Sequence, residues 1–108
     1  MNELKKDLYK KDKEGFIKYP ENWNQKVAFE LAKLEGIELT MDHWKIINLI
    51  RKFYFKFGIF PKMRDLDEFL YKMYGNRLSS RKLYQLFPKN PIFQASKIAG
   101  LPKPTVCI

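Results

Sequence analysis

The 108 residues predict a mainly helical protein: a small bundle of about five helices, with an N-terminal β-hairpin in front and a flexible C-terminal arm behind. Three observations lead there. Apolar side chains recur at helical spacing through most of the chain between about residues 22 and 99. Gly36, Gly58, Gly75 and Gly100 interrupt that spacing where helices would stop. Pro102 and Pro104 then forbid a further helix and favour extended backbone.

The N-terminal segment has a turn signal at Lys13-Glu14-Gly15, followed by the extended-looking Phe16-Ile17-Lys18-Tyr19 and closed by Pro20. It reads as a short two-stranded ribbon, which must lean on a helix to be stable. The first helix runs from about Asn22 to Glu35, with Trp23, Val27, Leu31 and Leu34 on one face. Thr40 is a natural N-cap for the second, and Asp42 suits the positive end of its dipole. This helix reaches about Phe57. Ile46, Leu49, Ile50, Phe53 and Phe57 make one stripe, and Trp44, Ile47 and Tyr54 make another. Apolar over most of its circumference, it is the expected central buried helix. A third helix spans about Asp65 to Tyr74 and shows Leu66, Phe69, Leu70 and Met73. Ser79 or Ser80 caps a short fourth, burying Leu83, Leu86 and Phe87. Asn90 caps a fifth that ends at Gly100, with Pro91 at its first position, where proline is tolerated. Residues 1–108 thus form one domain: a body over 1–99 and an arm over 100–108 that could reach roughly 25 Å at about 3.1 Å per residue.

Composition narrows the class. Apolar residues are 45% of the chain, enough for a core. No apolar run approaches the roughly 20 residues of a membrane span, and the first fifteen residues hold no signal-peptide stretch, so a cytoplasmic protein with no membrane partner is expected. The net charge of +9 admits nucleic acid, or a partner that handles it. It also fits a chain that is simply rich in Lys, Asn and Ile.

The only cysteine, Cys107, is the penultimate residue. One thiol makes no internal disulfide, and with His43 alone it makes no zinc site. Burial would require the whole tail to fold back. Access and spacing favour a reacting thiol on a tether stiffened by prolines, entering one pocket to receive a group and another to release it. Lys103, and in space Lys97, would favour its thiolate, whereas the terminal carboxylate opposes it.

These residues carry a resemblance. "DKEGFIKYPENWN", "LTMDHWKIINLIRKFYFKFGIFPKMRDL" and "GNRLSSRKLYQLFPKNPIFQASKIAGLPKPTVCI" together resemble nearly the whole of the DsrC/TusE family of sulfur carriers, also described as the gamma subunit of dissimilatory sulfite reductase. In the DsrC branch a second cysteine stands eleven residues before the terminal one; here that position is Ser96. The chain is therefore similar to the TusE branch, which keeps only the terminal cysteine. The resemblance implies that Cys107 accepts sulfane sulfur as a persulfide from a TusBCD-type donor complex. It would then present that sulfur to an MnmA-type tRNA thiouridylase with bound tRNA, for 2-thiolation of the wobble uridine. It implies a sulfurtransferase with no metal or organic cofactor, and at most indirect contact with tRNA.

Two other readings compete. "DLDEFLYKMYGNRLSSRKLYQLF" has the form of a helix-turn-helix with Arg77, Arg81 and Lys82 about its second element, as in a nucleic-acid-binding regulator. Leu83, Leu86 and Phe87 on that element, however, belong to a core. An accessory subunit of a sulfite reductase is the other reading. His43 is expected to be structural rather than a general base. Arg64 and Asp65 read as a cap or surface pair, and Tyr84 as a core-edge residue.

Overall fold

The computed structural model describes residues 11, 14–17, 20–75 and 77–104. Five α-helices occupy them. After a single 3-10 turn at Pro20–Asn22 come α1 (Gln25–Leu34), α2 (Met41–Phe57), α3 (Met63–Tyr74), α4 (Ser80–Leu86) and α5 (Pro91–Ile98). Local chemistry sets most of the boundaries. The Asn24 side chain accepts the Val27 N–H and starts α1, so Trp23 lies just outside the helix that its spacing suggested. Thr40 caps α2, and Gly58 ends it in the left-handed conformation. Asp65 accepts the Lys62 N–H, so α3 begins at Met63, ahead of the expected start. Ser79 and Asn90 cap α4 and α5, and Pro91 opens α5.

The core is shared by α2 and α5, with α1 and α4 packed on α5 and α3 on α2. Ile46, Ile47, Ile50, Leu66, Leu83, Ile92 and Ile98 are among the sealed side chains. α2, the expected central buried helix, is buried along only part of its length. His43, Ile46, Ile47, Leu49 and Ile50 are buried, but Met41 at the start of α2 is 76% exposed, and Phe55 and Phe57 near its end are 59% and 49% exposed. α5 is the more enclosed helix, with six of its eight residues buried.

The predicted hairpin is not confirmed among the described residues. One isolated antiparallel bridge, Lys11 to Ile17, spans the Gly15 turn, and no strand forms among the described residues. Successive Phe16 and Ile17 are both 3% exposed. A ribbon with one face in water buries only every second residue. Here consecutive side chains both pack on the helices. Asp12, Lys13, Lys18 and Tyr19 lie outside the described residues.

The expected arm does not start at residue 100. Leu101 is fully buried in the core and Pro104 is buried as well. Residues 101–104 thus belong to the packed body, because a large apolar side chain at 101 gains more from the core than from water. Thr105 to Ile108, Cys107 included, lie outside the described residues.

Candidate functional site

The described structure reaches toward Cys107 only through the chain that carries it, so the site is built from the root of that chain. α5 ends with unpaired carbonyls, as every helix does. The turn after it closes with the Gly100 N–H on the Lys97 carbonyl (3.2 Å) and the Leu101 N–H on the Ser96 carbonyl (3.0 Å). Gly100 takes φ +72°. Two side chains from elsewhere complete the end. The Trp23 indole N–H donates to the Ile98 carbonyl at 2.8 Å. Arg51 Nη1 donates to the Ala99 carbonyl at 2.6 Å. The Arg51 guanidinium also lies over the Trp23 ring, 3.9 Å from its centroid. A cation there complements the negative end of the α5 dipole. Burial pushes the Arg51 pKa down, and the ring face and the carbonyl offset part of that cost.

Neither residue stood out in the sequence as part of the site. A signal existed for Arg51. It falls between Ile47 and Tyr54 in the second apolar stripe of α2, where a charge needs a partner. Trp23 gave no such signal, because its partner is 75 positions away.

Beside this root lies a cleft of about 390 Å³, walled in part by Phe16, Phe93, Lys89, Lys97 and Lys103. Lys103 reaches Glu14 at 2.8 Å and so ties the root to the Gly15 turn. Lys97 sits 3.5 Å from Glu35 and over the Phe16 ring. Both cations expected to favour the thiolate are therefore engaged with carboxylates. Ser96, at the position of the second cysteine in the DsrC branch, is fully buried, and its hydroxyl has no hydrogen-bond partner among the described residues.

The remaining residues singled out in the sequence fall elsewhere. His43 is buried. Its Nδ1 accepts the Thr40 N–H at 3.0 Å, so Nε2 carries the proton and donates to the Leu86 carbonyl at 2.8 Å. Both nitrogens are used, and the ring is a brace between α2 and α4. Of the helix-turn-helix cations, Arg77 pairs with Asp67 at 2.8 Å and covers the Tyr71 ring. Lys82 faces Asp42 at 3.9 Å. Arg81 is exposed, while Leu83, Leu86 and Phe87 are in the core. α4 has seven residues and its apolar side is committed, so little of it is left to read bases. Asp65 serves α3 as a cap, Arg64 is exposed and Tyr84 is half exposed. Among the described residues there is no cluster of metal-ligating side chains and no helix long and apolar enough to cross a membrane.

Comparison with known proteins gives one consistent picture. A family model described as "DsrC like protein" matches residues 3–108. The protein named Sulfurtransferase TusE from Buchnera aphidicola subsp. Acyrthosiphon pisum is 50% identical over 114 aligned residues, covering 100% of both chains. Its namesake from Salmonella paratyphi A is 44% identical, covering 90% of each. The NMR structure of Allochromatium vinosum DsrC superposes with a TM-score of 0.82 at 40% identity, covering 93% of this chain and 90% of that one. The oxidized gamma subunit of the dissimilatory sulfite reductase from Archaeoglobus fulgidus gives 0.80 at 37% identity, covering 93% and 92%.

Proposed function

The chain belongs to the family of DsrC-like proteins, and on that premise we propose that it is a sulfurtransferase carrying persulfide sulfur on Cys107. The observation that carries this reading is the 50% identity, end to end, with a protein named Sulfurtransferase TusE, in a chain whose sole thiol is penultimate. The engaged cations and committed α4 face leave the nucleic-acid-binding reading less favoured. Ser96 in place of a second cysteine disfavours the chemistry of a reductase subunit.

One thiol suffices for the transfer. The Cys107 thiolate attacks the terminal sulfur of a donor persulfide. A new S–S bond forms on Cys107 as the donor's S–S bond breaks, and the donor leaves as a thiolate. The acceptor's thiolate repeats the attack on the Cys107 persulfide. Oxidation state is conserved overall, so the relay needs no oxidant, metal or organic cofactor. A TusBCD-type complex is the proposed donor. The proposed acceptor is an MnmA-type thiouridylase with bound tRNA, in the cytoplasm.

The packed root limits how this happens. Cys107 is three residues beyond Pro104, so its Cα stays within about 11 Å of the Pro104 Cα while the root holds, less than half the reach of an arm hinged at Gly100. Donor and acceptor cysteines must therefore come close to the body. Mass spectrometry after incubation with a cysteine desulfurase and the donor complex tests the assignment. The expected product is a gain of about 32 Da, one sulfur atom, on Cys107, absent in Cys107→Ser. An unmodified wild-type chain, under conditions that load another carrier, would sink the reading.

A further inference from the structure

On the far flank of α2 from the Arg51 root lies a groove of about 270 Å³ between α2 and α3. Its walls are Leu49, Phe53, Phe57, Phe69 and Met73, and its rim carries Lys52, Lys56 and Lys72. At 100° per residue, the groove positions on α2 are centred roughly 150° around the axis from Arg51 and Phe55. Phe57 and Met73 are 49% and 42% exposed. That is an apolar strip left open on a molecule with a sealed core of its own. No ion pair engages the three rim lysines among the described residues; Lys56 and Lys72 rest instead over the Phe57 and Phe69 rings.

We infer that this groove docks an amphipathic helix of a partner protein that carries carboxylates beside its apolar face. An apolar trough of this kind takes the i, i+3, i+7 side chains of a helix. Three like charges along its rim select the sign of the groups that flank them. The other occupants fit worse. A second copy would set lysine rim against lysine rim on a chain already at +9. The chain's own first thirteen residues hold five lysines against three acids, the wrong sign for this rim. The turn that leads into its C-terminal residues is held at Ala99 by Arg51, on the opposite flank of α2. RNA could satisfy the lysines, but base stacking needs free ring faces. Phe53 is already packed against Phe57 at 4.8 Å and Phe69 at 5.2 Å, and lysines overlie the Phe57 and Phe69 rings. The inference rests on the groove alone and stands whether or not Cys107 carries sulfur.

The test titrates the full chain, labelled with 15N, with two synthetic helical peptides that share leucines at i, i+3 and i+7. One carries Glu at the flanking positions and the other Lys. The Glu peptide should bind, shifting the amides of residues 49–57 and 69–73, with affinity falling as salt rises. Phe57→Ser should weaken it by about tenfold or more, as loss of a central apolar anchor does. Lys52→Glu/Lys56→Glu/Lys72→Glu should reverse the preference to the Lys peptide. All four positions are exposed or at the rim, and a retained far-UV spectrum and melting curve confirm that each variant folds. Equal binding of both peptides, shifts elsewhere on the molecule, or no binding at millimolar peptide overturns the inference. So does a wild-type dimer that Phe57→Ser dissolves, which would make the groove a self-interface. Tighter binding of a single-stranded RNA to the same amides overturns it too, by making the groove an RNA site.

Discussion

Gly100 shows how much one position can decide. Its φ of +72° is one that side-chain-bearing residues rarely adopt, and a Cβ built there would run into Cδ1 and Cγ of Trp23. Trp23 cannot step aside, because its indole is bonded to Ile98 and covered by Arg51. Gly100→Ala combines backbone strain with overpacking, and we expect a loss of about 2–4 kcal/mol in chemical denaturation. A melt within about 0.5 kcal/mol of wild type would show that the indole is not held as described. The glycine was legible in the sequence as a helix stop. That it also faces a tryptophan was not, because the contact joins positions far apart in the chain. Cys107, the proposed sulfur carrier, was singled out for the opposite reason: it is the sole thiol in the sequence, a fact that needs no fold to read.

Among the elements, α2 was read to the residue at both ends and α1 was not. Thr40, Asp42 and Gly58 act within one turn of themselves, so local sequence contains their effect. Trp23 has the spacing of the α1 face, but the Asn24 cap and the bond to Ile98 take it out of the helix. The end of α5 depends on long-range partners too, and Arg51 is the decisive one. Arg51→Met keeps the stem and removes the donor to the Ala99 carbonyl. It should cost about 1–3 kcal/mol and speed amide exchange at Gly100 and Leu101 far more than in α1. Unchanged protection at those two amides would remove Arg51 from the account of the root. The hairpin reading is not confirmed: among the described residues only the Lys11–Ile17 bridge spans the Gly15 turn. Turn and strand signals near Gly15 are present in the sequence, while the burial of both Phe16 and Ile17 depends on distant parts of the chain that local signals do not contain.

For the whole molecule, the burial of Leu101 extends the packed body past Gly100. Truncation after Gly100 exposes the pocket that Leu101 fills, whereas truncation after Pro104 keeps it filled. The shorter chain should be less stable than the longer by about 2–5 kcal/mol, the usual range for emptying a leucine site. Equal melting curves would return the boundary to Gly100 and restore the longer reach. The amino-acid sequence alone determined the helical class, the number of helices, most of their caps, the place of the sole thiol and the family resemblance. Each of these depends on residue types a few positions apart or on an ordered string. Tertiary structure alone decided that Leu101 to Pro104 pack with the body, which cations are already engaged, and that an apolar groove with a lysine rim stays open on α2. Those outcomes depend on which surfaces compete for one core, and that competition is settled between residues tens of positions apart.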